Sequence, residues 1–361
     1  MTDSNSNKKV FVGMSGGVDS SVTAALLQEQ GYSVTGVYMK NWSGDDYGIQ
    51  ADCPWEEDQK DAESVCKHLN IPFRSFNFEK QYREKVVEYF FSEYEKGRTP
   101  NPDVMCNKEI KFELFLNKAI EEGADCIATG HYVRRIFDQE SNEYQLLKGV
   151  DTKKDQSYFL TAITQEQLSK SIFPIGEYEK PQVRELAKKY NLPTANKPDS
   201  QGICFIGEIN VRDFIKQRLG EAEGKIIDVD SKAIVGLHNG AHFYTIGQRE
   251  GIGIGGTPEP YFVVGTDVSK NEVYVGMGSN HPGLFSTQVE LESLHAISGR
   301  FKDDDNVTAS VRYRHKPQPG TLKIQDKIIT FIFDEPQRAI TSGQSLVLYD
   351  GDVCLGGGVI A

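Results

Sequence analysis

The residues of this chain best able to do chemistry are a glycine turn, Ser15-Gly16-Gly17-Val18-Asp19-Ser20, and two thiols, Cys106 and Cys204, set in polar stretches bounded by proline and glycine. The turn follows the apolar run Val10-Phe11-Val12 and precedes Val22-Thr23-Ala24-Ala25-Leu26-Leu27. That order reads as strand, turn, helix. Adjacent glycines let the backbone approach a ligand with no Cβ in the way. The new helix aims free N–H groups and its positive end at that ligand. Ser15, Ser20 and Ser21 add hydroxyls, so the turn is a candidate phosphate or pyrophosphate cradle. Asp19 places an acid beside the phosphates, a candidate Mg²⁺ ligand or water-orienting group.

The turn is not a Walker A loop, because Gly17 is followed by Val18 and Asp19 rather than Lys and Ser/Thr. The glycine spacing also fails the dinucleotide fingerprint. The arrangement resembles the PP-loop of the N-type ATP pyrophosphatases. That resemblance implies cleavage of ATP to AMP and pyrophosphate, with adenylation of a substrate oxygen.

Asp103 and Cys106 lie in Arg98-Thr99-Pro100-Asn101-Pro102-Asp103-Val104-Met105-Cys106-Asn107. The prolines stiffen a loop, and Cys106 is expected at the N-terminus of a helix over Lys108–Glu122, where a thiolate is favoured. The plainer reading is an Asx turn and an ordinary cap. Cys204 stands in Pro198-Asp199-Ser200-Gln201-Gly202-Ile203-Cys204-Phe205-Ile206-Gly207. The remaining cysteines are Cys53, Cys66, Cys126 and Cys354, and no two of the six form a CxxC pair. A disulfide scaffold or a zinc knuckle therefore has no spacing to support it. Cys126 and Cys354 sit in apolar runs and are expected to be buried and inert. Two loop thiols beside an adenylating turn point to sulfur chemistry, in which ATP makes an oxygen a leaving group and a persulfide supplies its replacement.

The elements that must position these residues fall into two textures. Val10–Val12, Ser33–Met39, Phe73–Phe76 and Asp125–Thr129 read as strands, alternating with helices over Ser20–Gln30, Glu56–Leu69, Gln81–Glu95 and Lys108–Glu122. This alternation predicts an α/β doubly wound parallel sheet, with ligands at the carboxyl ends of its strands. Met39 and Gly130-His131 end two of those strands, and Met39 could pack on an adenine or simply fill the core. A hairpin over Tyr132–Phe137 and Tyr144–Leu147 and a helix over Pro181–Tyr190 follow. Beyond a helix at Val211–Leu219, short strands with Gly and Asn turns dominate, predicting small β modules that end in a barrel. The expected division is 1–210 for the nucleotide domain, 211–284 for a small mixed central domain and 285–361 for the C-terminal β-barrel.

An apolar fraction of 38% suffices for packed cores, and no apolar run approaches the length of a membrane span. The polar segment Met1 to Lys9 lacks an apolar signal core, so a cytoplasmic protein is expected. The net charge of −12 argues mildly against nucleic acid as a partner. Local patches still permit it: Arg134-Arg135, Lys153-Lys154 and Arg312-Tyr313-Arg314-His315-Lys316.

Taken with Thr129-Gly130-His131-Tyr132, Lys154–Leu160, Tyr244-Thr245-Ile246-Gly247-Gln248-Arg249 and Cys354-Leu355-Gly356-Gly357-Gly358, these motifs run the length of the chain and resemble the bacterial tRNA-specific 2-thiouridylases. The resemblance implies thiolation at C2 of the wobble uridine of tRNA. It implies that Gly13, Met14, Ser15, Gly16, Gly17, Val18, Asp19 and Ser20, with Met39 and Gly130, bind ATP, with Mg²⁺ arriving on the nucleotide. It sets Asn101, Pro102 and Asp103 around the target base, with Asp103 as acid/base. Cys204 would carry the persulfide, and Cys106 would be the second thiol, joined to Cys204 in a transient disulfide. His131, Lys154, Asp155, Gln156, Arg312, Tyr313 and Gln344 would touch tRNA. A cysteine desulfurase or a sulfur-relay protein would donate sulfur. The base must leave the anticodon stack to reach such a pocket, and Arg and Tyr suit a single-stranded loop. Two rivals share part of the pattern. An amidotransferase synthetase would keep the glycine turn but need no thiols, and a non-catalytic RNA-binding protein would keep the basic patches alone.

Overall fold

The computed structural model describes residues 8–43, 55–199, 202, 204, 210–325 and 328–361. Cys53, Ser200, Gln201, Ile203 and 205–207 of the motifs above lie outside the described residues. In chain order the first strands are β1 (Lys9–Met14), β2 (Ser33–Lys40), β3 (Phe73–Asn77) and β4 (Cys126–Ala128). A hairpin, β5 (Val133–Asp138) and β6 (Glu143–Lys148), and the short β7 (Ser171–Ile172) come next. β3, β2, β1, β4 and β7 form one sheet in that spatial order, and every pair is parallel. Order reversal between β1 and β4 makes their carboxyl edge the natural ligand crevice. The glycine turn leaves β1 at this edge and opens the helix α1 (Val18–Glu29).

Both faces of the sheet are covered, as a parallel sheet requires. Val10, Val12, Val22, Leu27 and Ala187 pack on one side. Phe11, Phe76, Phe112, Phe115 and Ile127 pack on the other. The helix Val211–Leu219 also serves this second layer, with Phe214 against Phe91 and Phe90 at centroid distances of 4.8 and 5.5 Å.

β8 (Gly224–Asp228), β9 (Ile234–His238), β10 (Tyr261–Asp267) and β11 (Glu272–Met277) form a separate mixed sheet around Ile226, Val263, Val273 and Val275. The remaining strands are β12 (Phe285–Leu291), β13 (His295–Ala296), β14 (Asp305–Ser310), β15 (Gln318–Gln325), β16 (Ile328–Arg338), β17 (Ser345–Asp350) and β18 (Val353–Val359). They curl around Leu322, Phe331, Phe333, Leu346 and Leu348 as an antiparallel, barrel-like sheet. The local sequence does not announce β9, β12, β15 or β18. β15 holds Pro319 and Gly320 and β18 three successive glycines, composition that signals turns when no partner strand is known.

The barrel-like sheet is not closed within its own segment. β18 pairs with β6, Cys354 opposite Leu146, so the hairpin β5–β6 extends it from the first domain. A second tie runs through Gln344, whose side-chain amide donates to the carbonyls of Thr99 and Pro100 at 3.0 Å each. Tyr158 adds a third, its hydroxyl donating to Ser345 O at 2.9 Å. The segment before Asn101 is thus held from the barrel side. Gln344→Ala is expected to lower stability by about 1–3 kcal/mol for two lost bonds and exposed carbonyls. Amide exchange at Thr99 should quicken, measured by chemical denaturation and hydrogen exchange.

Candidate active site

The glycine turn has the geometry its composition predicts. Gly16 sits at φ +72°, and a Cβ there would lie 2.4 Å from the carbonyl oxygen of Asp58. A Cβ on Gly130 would lie 2.9 Å from the backbone of Asp19 and Ser20. The end of β4 therefore meets the start of α1 backbone to backbone. Gly17 is the N-cap of α1 and brings no side-chain cap. Ser20 holds the turn instead: its Oγ accepts from Ser15 N at 3.1 Å and donates to Gly17 O at 3.2 Å. First-turn amides converging on a glycine-lined hollow fit a polyphosphate. The Met39 side chain is 5% exposed and packs in the core beneath Gly13.

Charged side chains gather at this turn. Lys180 Nζ donates to both oxygens of Asp19, at 2.7 and 2.9 Å, and lies 2.8 Å from Asp199 Oδ1. The Tyr132 hydroxyl donates to Asp19 at 2.7 Å. Lys154 and Arg184 each reach Asp199 at 2.7 Å. Burial alone would raise the Asp199 carboxyl, but hydrogen bonds from Lys154 and Lys180 outweigh it and hold it well below the usual carboxylate range. Sequence reasoning missed Lys180 and Arg184. A signal existed: Lys180 is the first residue of the helix Lys180–Lys189, where a cation opposes the helix dipole.

Cys106 departs from expectation. The helix begins at Pro102 rather than Lys108, with Asn101 as N-cap accepting from Val104 N. Proline at the first position and asparagine as cap are helix-starting residues. Cys106 therefore sits inside a helix, 0% exposed, and not in a loop at a helix start. From Asn107 to Phe115 the helix widens to a π-helix before continuing as Leu116–Glu121. Burial and the neighbouring Cys204 sulfur push the Cys106 thiol well above its ordinary value.

The two sulfurs are 3.5 Å apart, with Cys106 the donor and Cys204 the acceptor. Residue 204 is fixed from both sides: its amide donates to Asp103 Oδ1 at 3.0 Å, and its carbonyl accepts from the Tyr82 hydroxyl at 2.6 Å. The hydrogen bond from Cys106 lowers the Cys204 thiol against the opposing effect of burial, and Lys111 lowers it further. Burial raises the Asp103 carboxyl, though the Cys204 amide and Lys111 pull the other way. A carboxyl shifted upward can hold or release a proton nearer neutrality. Among the described residues the other three thiols are shifted away from reactivity. Burial pushes Cys66 and Cys354 up to about 12 and Cys126 up to about 11. Cys126 is half-buried rather than buried as expected, because β4 lies at the amino edge of the sheet there.

Of the expected RNA-facing residues, Arg312 is exposed, and Tyr313 packs against Phe159 at a tilted centroid distance of 4.4 Å. His131 is only 6% exposed, bonded to Thr129 Oγ1 at 2.7 Å and flanked by Phe112 and Phe173. Burial, with Lys111 nearby, takes its imidazole well below the usual value. Asp155 accepts from Gly149 and Ser157 amides, and Gln156 accepts from Tyr132 N at 3.0 Å. These bonds brace the segment that carries Lys154. Among the described residues no group of three or more His, Cys, Asp or Glu could hold a metal ion, and no helix is long and apolar enough to cross a membrane.

Three family models cover the chain: a tRNA methyl transferase HUP domain over 8–208, a tRNA methyl transferase PRC-barrel domain over 212–277, and an aminomethyltransferase beta-barrel domain over 286–360. A tRNA-specific 2-thiouridylase MnmA of Streptococcus thermophilus (strain CNRZ 1066) is 50% identical, spanning 100% of this chain and 96% of its own length. Its counterpart in Christiangramia forsetii is 46% identical over 98% of this chain and 100% of its own. That of Pseudomonas fluorescens (strain Pf0-1) is 50% identical over 98% and 95%.

The Asp199 cluster has a testable signature. A carboxylate lowered in the fold contributes stability above its unfolded pKa, near 3.9, and loses it as pH falls toward the folded value. Asp199→Asn is expected to cost about 1 kcal/mol at neutral pH, discounted for its partial exposure. The gap between variant and wild type should narrow as pH drops below about 4, measured by urea unfolding across pH. A penalty independent of pH would count against the cluster.

Proposed function

The chain belongs to the tRNA-specific 2-thiouridylase family and is a tRNA-uridine 2-sulfurtransferase, and from that premise we propose how its residues divide the reaction. Family membership implies ATP use. The first-turn amides of α1, with Gly16, Gly17 and Gly130, would hold the polyphosphate, and Ser15 and Ser20 would line it. Asp19 is the carboxylate that would face a Mg²⁺ carried by the nucleotide, whose charge would offset that of the phosphates. Lys180 and Lys154 stand ready as cations beside it.

The wobble uracil would enter beside Asn101, Pro102 and Asp103, unstacked from the anticodon loop. Its C2 oxygen attacks the α-phosphorus of ATP, pyrophosphate leaves, and the oxygen becomes part of a good leaving group. Asp103, its carboxyl raised by burial, would take and return the proton that moves as the base is activated and released. A persulfide on Cys204 then attacks C2, and AMP departs with the former oxygen. Cys106 attacks the Cys204 sulfur, the C2 sulfur leaves with the base, and a Cys106–Cys204 disulfide remains for an external thiol to reduce. Each sulfane sulfur gains two electrons, and the thiol pair supplies them. The observation that carries this reading is the 3.5 Å separation of the two sulfurs with Asp103 on the Cys204 amide. Arg312, Tyr313 and Lys154 would meet the tRNA, and a persulfide-bearing desulfurase or relay protein would load Cys204.

The Cys204→Ser variant is expected to bind ATP and tRNA but make no 2-thiouridine, scored by nucleoside mass spectrometry. Wild-type turnover should release AMP; ADP as product overturns the adenylation step. In Cys106→Ser with ATP and tRNA, a Cys204–S–S–tRNA adduct that dithiothreitol releases should accumulate, read on a denaturing gel, because no second thiol is there to free the base.

A further inference from the structure

Three cations beside the glycine turn converge on one carboxylate, a contact that the scheme above leaves without a role. Arg184 Nη2 and Lys180 Nζ reach Asp199 Oδ1 at 2.7 and 2.8 Å, and Lys154 Nζ reaches Oδ2 at 2.7 Å. Two of the three are held in place without Asp199. Lys180 Nζ donates to both oxygens of Asp19 at 2.7 and 2.9 Å. Arg184 Nη1 donates to the carbonyls of Ala195 and Lys197 at 3.3 and 2.8 Å. With Asp199 displaced, Lys180 and the Nη2 of Arg184 would still point N–H groups at the vacated position. Donors already fixed spare an incoming anion the cost of ordering them.

The chemistry of this seat selects its ligand. A carboxylate brings one charge and two oxygens to the cations, whereas a diphosphate brings several of each. The planar fork of Arg184 suits phosphate oxygens, and Lys180 adds a point charge. Lys180 bridges Asp199 to Asp19, so the seat lies one side chain from the turn that would hold ATP. The Lys180 side chain is 12% exposed and that of Asp199 28%, which covers the cation and leaves the carboxylate within reach of solvent. Backbone phosphates of RNA share the chemistry but would have to reach that covered lysine. The diphosphate cleaved from ATP starts beside it.

We propose that Lys180 and Arg184, with Lys154 at the rim, form the seat of the diphosphate released from ATP, and that Asp199 is its internal place-holder. This rests on the adenylation reading above. Asp199 occupies the seat when no nucleotide is bound, and diphosphate must displace it to bind. The apparent affinity for diphosphate is therefore lowered by the fraction of molecules in which the carboxylate holds the seat. When the carboxylate returns, it competes with the product and favours its departure.

The test is isothermal titration calorimetry of the full chain with magnesium diphosphate. Asp199→Asn, which keeps the shape and removes the charge, should bind about fivefold or more tighter than wild type. Arg184→Gln should bind about tenfold weaker. Asp61→Asn removes the same charge from the neighbouring Lys197 pair and should change affinity less than about twofold. Unchanged or weaker binding in Asp199→Asn overturns the place-holder, and an equal gain in Asp61→Asn reduces it to a general effect of charge and overturns it too. Should Asp199→Asn not fold, Arg184→Gln decides: diphosphate affinity equal to wild type overturns the seat. An anticodon-loop RNA that tightens in Asp199→Asn while diphosphate does not overturns the choice of ligand. Failure of the underlying reading looks different: ADP as the product of wild-type turnover overturns adenylation, whereas AMP as product with no gain in Asp199→Asn overturns the place-holder alone.

Discussion

The contact on which the site depends is the hydrogen bond from the Cys204 amide to the Asp103 carboxyl. It joins segments about a hundred residues apart and fixes one thiol against the other. Asp103 can receive that amide because Asn101 and Pro102 start the helix just before it. The start is itself held by the barrel through Gln344. Three parts of the chain thus fix one carboxyl: the Cys204 amide bonds it, the Asn101 cap starts its helix, and Gln344 holds the residues before that cap. The cost is that Asp103 and Cys106 lie where water is scarce, and both titrate upward as a result. Cys204 goes the other way because Cys106 donates to its sulfur.

The glycine turn is legible in the sequence because everything that defines it is local. A strand, two glycines and a helix lie within twenty residues, and adjacent glycines between a strand and a helix mark a close backbone approach. The thiol pair is legible only in its members. Nothing in the spacing of Cys106 and Cys204 shows that they touch, since the contact needs the tertiary fold. The Pro102 helix start is written in the sequence but reads as loop: two prolines in three residues suggest an irregular segment, although proline is at home in a first helical turn. Lys180 and Lys111 are hidden for different reasons. The first pairs with acids far along the chain. The second lies inside a π segment, which no apolar periodicity announces.

The same distinction accounts for Lys154, Asp155 and Gln156. As a run they look like one charged turn facing solvent. In the fold, Asp155 and Gln156 bind backbone amides inward, and Lys154 turns to Asp199. Their spacing sets them on opposite sides of the segment. The inward pair makes the outward one rigid, which is how a short polar stretch can hold a cation near the nucleotide turn.

The pairing of β18 with β6 bears on how the molecule is made. The hairpin β5–β6 leaves the ribosome early, yet one edge of it waits for a strand some two hundred residues later, and contacts this distant are costly to close in an open chain. Until that strand arrives, Leu146 and the edge of β6 offer unpaired backbone to any passing strand. During synthesis the nascent chain therefore exposes an adhesive edge that the finished protein does not, so its yield under fast translation depends on how quickly the distal sheet folds back.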